Sequence, residues 1–396
     1  MLKEVLDTVL LIRNAKVYSP DFLGVRDVFV AGGKICCVRE RIDVEDCLPV
    51  EVIDGKGCVL LPGFIDNHVH ILGGGGEGGY RTRTPELSLS TMIEAGVTTV
   101  VGCIGTDGVT RRMENLVAKA KGLKEEGVSC FIYTGSYDVP VRTLLGDIRT
   151  DMLMIEEVIG VGEIAVADHR SSLPTFEELA RILSDARVGG MLSGKAGIVN
   201  VHLGDGSQML DLLEEIKDKT PLPTYHFVPT HMNRNPELFE RGITYAKNGG
   251  NVDFTTSSFT AFTDLGEIKC SKSLRRMLDA GVPVERMTFS SDGQGSLPVF
   301  NNAGEMTGLQ VGKMNSLFAE VKDAVMEENI PLETAVRVIT SNDADLLKLP
   351  QKGRIREGID ADLVLADENS LAIRTVISLG QVMMRDGEIV VKGTFE

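Results

Sequence analysis

The sequence lacks tryptophan, has few aromatic residues and is short of positive charge. Aromatic residues make up 5% of the 396 positions, and 41 Lys and Arg stand against 57 Asp and Glu, which gives a formal net charge of −16. Nucleic acids and anionic membranes bind basic surfaces, so this balance argues against both as partners. With 43% hydrophobic and 25% charged residues, the composition is that of a globular protein, not of a disordered or fibrous chain.

Long apolar runs are also absent. No stretch of 18 uncharged apolar residues occurs, and charged residues interrupt the first apolar stretch, at Lys3, Glu4, Asp7 and Arg13. A membrane-spanning helix needs about 20 apolar residues, and a signal peptide needs an uninterrupted apolar core. We therefore expect a cytoplasmic protein.

Cysteine is present but shows no pairing pattern. The seven Cys are odd in number, and no two of them have the C-x-x-C spacing that builds structural zinc sites. The sequence therefore predicts reduced thiols, most of them buried.

The two ends of the chain have the pattern of β-hairpins. Short apolar runs separated by turns that contain Gly and Asp fill residues 9–57, and the same pattern returns in residues 361–391. Such runs and turns are typical of antiparallel strands. We predict one small β-sandwich module built from residues 1–60 and 350–396, with residues 61–349 forming a separate catalytic domain.

Between the ends, short β-branched runs alternate with amphipathic helical stretches, which is the pattern of βα units around a parallel sheet. The predicted strands are 64–71, 98–105, 130–137, 158–167, 198–203, 224–231, 252–257 and 287–292. The predicted helices are 85–95, 111–126, 175–187, 207–219, 236–247, 271–280, 311–328 and 331–347. Eight such units predict an α/β fold, a (β/α)8 barrel.

Polar residues collect where the predicted strands end, which is where barrels of this kind place their catalytic groups. His68 and His70 are two residues apart on a strand, so they point the same way and can hold one metal ion. His226 lies five residues before His231 and is predicted to be structural. The residues at or just after strand ends are His68, His70, Tyr137, His169, His202, His231 and Asp292.

Several motifs recur in a familiar order along nearly the whole chain: Pro62-Gly63-Phe64-Ile65-Asp66-Asn67-His68-Val69-His70, Gly75-Gly76-Glu77-Gly78, Gly105-Thr106-Asp107, Thr134-Gly135-Ser136-Tyr137, Asp168-His169-Arg170-Ser171, Pro229-Thr230-His231-Met232-Asn233-Arg234 and Ser291-Asp292-Gly293-Gln294-Gly295-Ser296. Together they resemble the amidohydrolase superfamily and, within it, the isoaspartyl (β-aspartyl) dipeptidase family. The resemblance implies metal-dependent hydrolysis of β-aspartyl dipeptides to aspartate and an amino acid by a metal-activated hydroxide.

The same resemblance implies two divalent ions, with zinc expected. One ion would take His68, His70 and Asp292, and the other His202 and His231. The family bridges them with a carbamylated Lys, but this chain reads Val161-Gly162-Glu163 and places Glu163 at the Lys position. Glu has the same charge on a shorter side chain, so we predict that Glu163 is the bridge and that the strand bulges inward at Gly162.

The remaining roles are also carried over from the resemblance. Asp292 would act as general acid and base, and Tyr137 would stabilise the oxyanion together with a metal ion. Glu77 would bind the ammonium of the substrate. The aspartyl carboxylate would bind to the backbone of Gly75 and Gly76, to Thr106 and to Ser296, and the carboxylate of the leaving residue would bind to Arg170 and Arg234.

Two other functions stay open. The first is a cyclic-amide hydrolase of the dihydroorotase or hydantoinase type, whose substrate has no ammonium for Glu77 and no second carboxylate for Arg170 and Arg234. The second is a catalytically silent barrel scaffold, for which Glu163 would be the lost ligand. The resemblance further implies a homo-oligomer, and residues 143–152 are the expected mobile loop beside the site.

Overall fold

The computed structural model describes residues 9–44, 49–258, 263, 266–300 and 306–396. These residues form a barrel of parallel strands surrounded by helices, together with a mixed sheet made from both ends of the chain. The predicted fold class is therefore confirmed. Within the described ranges, no helix is long and apolar enough to cross a lipid bilayer. Cys47 lies outside the described residues, and the other six cysteines are free thiols, four of them buried.

The two ends of the chain meet in one sheet. Its first strands are β1 Val9–Tyr18, β2 Phe22–Ala31, β3 Lys34–Arg39, β4 Val50–Asp54 and β5 Cys58–Pro62. After the barrel it continues with β16 Leu363–Asp367, β17 Ile373–Ser378, β18 Gln381–Arg385 and β19 Glu388–Ile389. Hydrogen bonds join the described strands in the order β19-β18-β17-β16-β5-β1-β2-β3, with β4 also beside β1. Alternate residues such as Leu10 and Ile12 of β1 and Val28 and Val30 of β2 fill a common core.

The barrel begins directly after this sheet. Its strands are β6 Phe64–Val69, β7 Val97–Gly102, β8 Ser129–Thr134, β9 Val158–Val166, β10 Ile198–Leu203, β11 Phe227–Thr230, β12 Val252–Thr255 and β13 Met287–Ser290. Strands β6 to β11 pair in order, and β12 pairs with β13. The Met232 amide donates to the Asp253 carbonyl and the His70 amide to the Gly293 carbonyl, so the ring closes on both sides of the β12–β13 pair. Most barrel strands are buried at every position, as expected when helices cover a parallel sheet.

Helices follow most barrel strands near the predicted positions. They are α1 Leu89–Glu94, α2 Met113–Glu125, α3 Ile148–Met154, α4 Phe176–Ser193, α5 Asp211–Lys219, α6 Pro236–Lys247, α7 Cys270–Asp279, α8 Ser316–Met326, α9 Leu332–Ala335 and α10 Ser341–Leu346. Their ends follow local chemistry. Thr175 and Glu178 form a capping box at the start of α4, and Gly194 ends that helix with a φ of 73°.

A hairpin occupies part of a predicted helix. Strands β14 Ser296–Phe300 and β15 Met306–Val311 pair antiparallel, whereas the apolar pattern predicted a helix from residue 311. The Gly312 amide donates to the Gly295 carbonyl at 2.9 Å, so the chain is still paired at this point, and α8 begins only at Ser316. The segment predicted as one helix over 331–347 is divided into α9, a 3-10 turn at Val336–Ile339 and α10.

The loop expected over residues 143–152 contains helix α3. Asp147 caps the helix by accepting from the Thr150 amide at 2.9 Å. Asp151 is buried and accepts from the backbone amides of Leu144 and Leu145 at 2.9 and 2.7 Å and from the Thr134 hydroxyl at 2.5 Å. These bonds anchor the segment to β8, while its mobility stays a prediction.

Candidate active site

The predicted metal ligands converge at the carboxyl end of the barrel. His68 lies on β6 and His70 just after it, Glu163 lies on β9 and His202 on β10. His231 and Asp292 come one and two residues after β11 and β13, with φ values of 62° and 52°. This left-handed backbone is uncommon for residues other than glycine and is found at functional sites. The structure brings all six side chains together, and all are buried.

One cluster surrounds the two histidines of β6. His70 Nε2 lies 3.1 Å from Asp292 Oδ1 and 3.3 Å from Glu163 Oε1. His68 Nε2 lies 3.5 Å from Glu163 Oε2 and 3.7 Å from Asp292 Oδ1. Two imidazole nitrogens and two carboxylates therefore face one small space.

A second cluster shares Glu163 with the first. Glu163 Oε2 lies 3.1 Å from His202 Nδ1 and 4.0 Å from His231 Nε2, and these two imidazole nitrogens are 2.9 Å apart. Because Glu163 Oε1 faces His70 while Oε2 faces His202, the carboxylate stands between the clusters, as a bridging ligand would.

The side chains fit a pair of divalent metal ions. Within the described chain, three buried atoms that face the first cluster have no hydrogen-bond partner: His68 Nε2, Glu163 Oε1 and Asp292 Oδ1. Buried polar atoms without partners are rare in folded proteins, because each costs the free energy of a lost hydrogen bond. Nitrogen and oxygen donors of this kind are ligands of zinc and related ions. The two clusters are therefore consistent with a binuclear metal site.

A bulge in β9 brings Glu163 into the barrel. Val161 pairs with Val199 and Ile164 pairs with Val201, so Gly162 and Glu163 both stand opposite Asn200. This is the two-against-one pairing of a bulge, and the predicted bulge at Gly162 is confirmed. A Cβ on Gly162 would lie 2.9 Å from both Asn200 Cβ and Asn200 O, so only glycine fits here. The bulge turns the Glu163 side chain toward His70 and His202.

Burial and neighbouring charges shift the pKa values of several of these groups. In the free protein, burial alone would lower the pKa values of His68 and His70, but Cys103 and the carboxylates Glu163 and Asp292 outweigh burial and raise them.

Burial alone raises the pKa of the Glu163 carboxyl, but His68, His202 and His70 together bring its pKa down to about 2, so the bridge is ionised. Burial lowers the pKa of His231 well below its usual value, which keeps this imidazole neutral and able to bind a metal. Burial and the nearby Glu163 raise the pKa of Tyr137 well above its usual value, so the phenol keeps its proton.

A cavity of about 570 Å³ opens above the two clusters. Most of the predicted substrate-binding residues line it: Gly75, Glu77, Thr106, Tyr137, Arg170, Arg234 and Ser296. Gly76 does not line the cavity, since the loop turns there with a φ of 112°. The Tyr137 hydroxyl lies 2.8 Å from His202 Nδ1, next to the second cluster.

The charged groups of the cavity wall are already paired. Glu77 Oε1 accepts from the Thr106 hydroxyl at 3.0 Å and lies 3.6 Å from Arg170 Nη1. Arg170 also donates to both carboxylate oxygens of Asp168, at 2.9 and 2.8 Å. Arg234 lies 3.6 Å from Asp205. The charged groups of a ligand with one ammonium and two carboxylates could replace some of these contacts between side chains.

Comparison with known proteins agrees with this geometry. A family model described as Amidohydrolase family matches residues 59–390. The chain belongs to the amidohydrolase family. A β-aspartyl dipeptidase from Fervidobacterium islandicum AW-1, solved in complex with β-Asp-Leu dipeptide, is 47% identical, with a TM-score of 0.89 over 96% of this chain and 98% of that one.

More distant relatives share the fold. An Escherichia coli (strain K12) protein named allantoinase is 26% identical over 427 residues, which cover 92% of this chain and 87% of that protein. A D-hydantoinase structure is 18% identical with a TM-score of 0.68, covering 97% of each chain. At that identity the similarity supports the barrel fold and not the substrate.

Residues that orient the ligands of this amidohydrolase were missed in the sequence. Asn200 Oδ1 lies 3.1 Å from His68 Nδ1, and Thr255 Oγ1 lies 2.6 Å from His231 Nδ1. Each contact leaves Nε2 of the same ring facing the metal clusters, the usual role of residues behind metal ligands. Asn200 could have been found, because it lies two residues before His202 on one strand and so points the same way. No sequence signal marks Thr255.

Arg111 supports the glycine-rich loop of the amidohydrolase site and was also missed. It is buried and donates to the carbonyl oxygens of Leu72 at 3.1 Å, Gly74 at 2.7 Å and Gly75 at 3.1 Å. These bonds turn the carbonyls of the loop toward the arginine. The loop is thereby fixed beside the cavity.

Two histidines lie away from the metal clusters. His226 packs against Tyr225, with ring centroids 4.8 Å apart, and a ring nitrogen lies 3.0 Å from the Gly197 carbonyl oxygen. This agrees with its predicted structural role. The His169 side chain is 87% exposed.

Proposed function

We propose that this amidohydrolase hydrolyses β-aspartyl dipeptides and releases aspartate and a second amino acid. The observation that carries the proposal is the pairing of Glu77 with Arg170 in the wall of a cavity that leads to the two metal clusters. The 47%-identical β-aspartyl dipeptidase, solved with β-Asp-Leu, supports the same conclusion.

A β-aspartyl dipeptide has the charges that this cavity can receive. The bond to be cut uses the aspartyl side-chain carboxyl, so the aspartyl unit keeps a free ammonium and a free carboxylate, and the second residue has its own carboxylate. We assign the ammonium to Glu77, and the aspartyl carboxylate to Thr106, Ser296 and the loop of Gly75 and Gly76. The second carboxylate goes to Arg170 and Arg234, because a guanidinium matches a carboxylate in geometry and charge.

We propose zinc as the metal at both positions, bridged by Glu163 in place of a carbamylated lysine. His68, His70 and Asp292 would hold one ion, and His202 and His231 the other. When bound, divalent ions in such a site polarise the scissile carbonyl and activate water as the nucleophile near neutral pH.

The protein side chains move the proton and stabilise the developing charge. The Asp292 carboxylate faces the first cluster and lines the cavity, so it is placed to accept the proton of the attacking water. It then passes this proton to the leaving amine, which departs as a neutral group. The protonated Tyr137 hydroxyl donates to the oxygen of the carbonyl under attack.

The alternative function is hydrolysis of a cyclic amide, and the observation that favours it is the 26% sequence identity to the Escherichia coli (strain K12) protein named allantoinase. A cyclic amide would leave Glu77 without an ammonium and the two arginines without one of their carboxylates. A cyclic amide would therefore use fewer of the charged groups that line the cavity than a β-aspartyl dipeptide would. We therefore rank this function second.

The test compares substrates on metal-loaded protein. Hydrolysis of β-Asp-Leu with little turnover of α-Asp-Leu, dihydroorotate or hydantoin is the expected result. Equal turnover of α-Asp-Leu and β-Asp-Leu would contradict the assigned charges, and activity on the cyclic amides alone would favour the alternative. Metal bound without turnover of any of them would favour a silent scaffold.

Metal analysis tests the bridge. In Glu163→Ala we expect fewer bound ions and at least a 100-fold loss of kcat, since even residues behind metal ligands cost about 10- to 100-fold. Glu157→Gln is the matched control, because Glu157 is a buried glutamate on the chain just before the same strand. Two ions bound to Glu163→Ala would remove the bridging role. A homo-oligomeric, cytoplasmic enzyme with a small dipeptide as its partner completes the proposal.

A further inference from the structure

A buried cysteine lies beside the first metal cluster and has no role in the proposed site. Cys103 follows β7 and is fully buried. Its Sγ lies 3.8 Å from His70 Nδ1 and 3.6 Å from the Val69 carbonyl oxygen. No sequence pattern singles out this thiol, since it belongs to no cysteine pair.

Cys103 completes a compact set of four donors. One ligand atom each from His68, His70, Cys103 and Glu163 lies within 4.8 Å of every other. Zinc bonds to sulfur at about 2.3 Å and to nitrogen or oxygen at about 2.0 Å, so donors that include one sulfur are roughly 3.3 to 3.5 Å apart around one tetrahedral ion. Cys103 faces Nδ1 of His70 and Glu163 faces Nε2, so the His70 ring must rotate for all four donors to reach one ion.

A second observation points to a ligand in the same place. His68 Nε2 and Glu163 Oε1 belong to this set, are fully buried and have no hydrogen-bond partner in the described chain. Cys103 otherwise packs with apolar barrel residues such as Val101 and Ile65. The thiol therefore stands at the border between the apolar interior and two donor atoms that lack partners.

We propose that Cys103 is a thiolate ligand of the ion held by His68 and His70, with Glu163 as the fourth donor, an assignment that rests on the proposed metal-dependent function. On binding, the sulfur–hydrogen bond is replaced by a sulfur–metal bond, and the thiol proton passes to solvent. The reaction needs no oxidant or reductant.

This assignment makes the two metal positions unequal. The first has four protein ligands, the arrangement of closed zinc sites, whereas the second has Glu163, His202 and His231 and keeps an open position. Asp292 is then not required as a ligand and remains available for proton transfer. The first ion should resist a chelator that removes the second.

X-ray absorption at the zinc edge tests the proposal on the full chain after metal removal and reloading. We expect a sulfur neighbour at about 2.3 Å. There should be one sulfur per zinc with one equivalent added and one per two zincs with two equivalents. The signal should persist in Cys130→Ala, the control for loss of a buried thiol, and vanish in Cys103→Ala.

Cobalt gives an independent readout. One equivalent of Co²⁺ should produce a sulfur-to-cobalt charge-transfer band in the wild type and in Cys130→Ala, but not in Cys103→Ser, which keeps a polar atom at this position. Circular dichroism melts show which variants are folded. The wild-type spectra test the sulfur ligand even if a variant does not fold.

The outcomes separate the two proposals. Bound zinc without a sulfur neighbour in the wild type would overturn the assignment and reduce Cys103 to a hydrogen-bond partner of His70. Sulfur retained in folded Cys103→Ala would overturn it as well. A sulfur-bound ion in a protein that does not cleave β-Asp-Leu would leave Cys103 as a ligand and contradict only the proposed function.

Discussion

Glu77 Oε1 lies 3.6 Å from Arg170 Nη1 across the wall of the candidate active site. These two residues are assigned to opposite charges of the proposed substrate. In the free protein Arg170 also pairs with Asp168, and Glu77 also accepts from Thr106, so a bound substrate would replace some of these contacts. We expect such a pair to favour a molecule that has both an ammonium and a carboxylate.

The first prediction concerns Glu77. Glu77→Gln keeps the shape of the side chain but removes its charge, and hydrogen bonds to charged groups contribute about 1.5 to 3 kcal/mol. We expect kcat/KM for β-Asp-Leu to fall about 10- to 100-fold, while the metal content stays the same. Glu240→Gln is the control, because Glu240 pairs with Arg276 on the surface and should leave the kinetics unchanged. An unchanged kcat/KM in Glu77→Gln would refute the ammonium assignment.

The second prediction concerns the Tyr137 hydroxyl. Its raised pKa keeps it a donor across the neutral range, and removal of one oxyanion donor costs about 100- to 1000-fold in kcat. Tyr137→Phe should therefore lower kcat by this amount with little change in KM. Tyr225→Phe, which alters an exposed tyrosine stacked on His226, serves as the control. A loss confined to KM would instead make Tyr137 a binding residue.

The sequence predicted those parts of the site that depend on strand ends. His202 and His231 could be placed because the βα pattern is periodic and the carboxyl ends of parallel strands meet at one face. The bulge at Gly162 was also predictable, because Glu163 has a shorter side chain than a carbamylated lysine and the preceding glycine tolerates the required backbone.

Other features depend on contacts between distant parts of the chain. The hairpin of β14 and β15 was missed because residues 293–310 show neither a helical nor a strand pattern, and its two strands are defined only by their pairing with each other. Thr255 contacts His231 across 24 residues, and Cys103 reaches His70 across 33. Such contacts leave no periodic pattern in the local sequence.

The third prediction is a pH dependence of stability at Glu157, far from the metal ligands along the barrel. Burial raises the pKa of this carboxyl, but a hydrogen bond from Lys124 at 2.9 Å outweighs it and lowers the pKa overall. A pKa lowered on folding contributes stability above the unfolded value of about 4.3, and this stability is lost as the pH falls toward the folded value. Urea unfolding should show wild type more stable than Glu157→Gln at pH 7, and the difference should shrink below about pH 4. If the stability difference between wild type and Glu157→Gln grew as the pH fell, folding would raise the pKa of Glu157, and the prediction would be wrong.

The fourth prediction separates the two uses of glycine in this chain. Gly162 has a φ of 151°, and a Cβ there would meet Asn200 at 2.9 Å, whereas a Cβ on Gly122 in the interior of α2 meets nothing within 4 Å. Gly122→Ala should raise the free energy of unfolding by about 0.5 to 1 kcal/mol, since alanine loses less entropy in a helix.

Gly162→Ala must move β9 away from Asn200, and Glu163 moves with it. We expect this variant to lose bound metal, measured by plasma mass spectrometry, and to lose activity even where circular dichroism shows a folded barrel. Full metal content in folded Gly162→Ala would mean that Glu163 reaches the clusters without the bulge. In that case the backbone of this strand would not explain how Glu163, which is shorter than a carbamylated lysine, reaches both clusters.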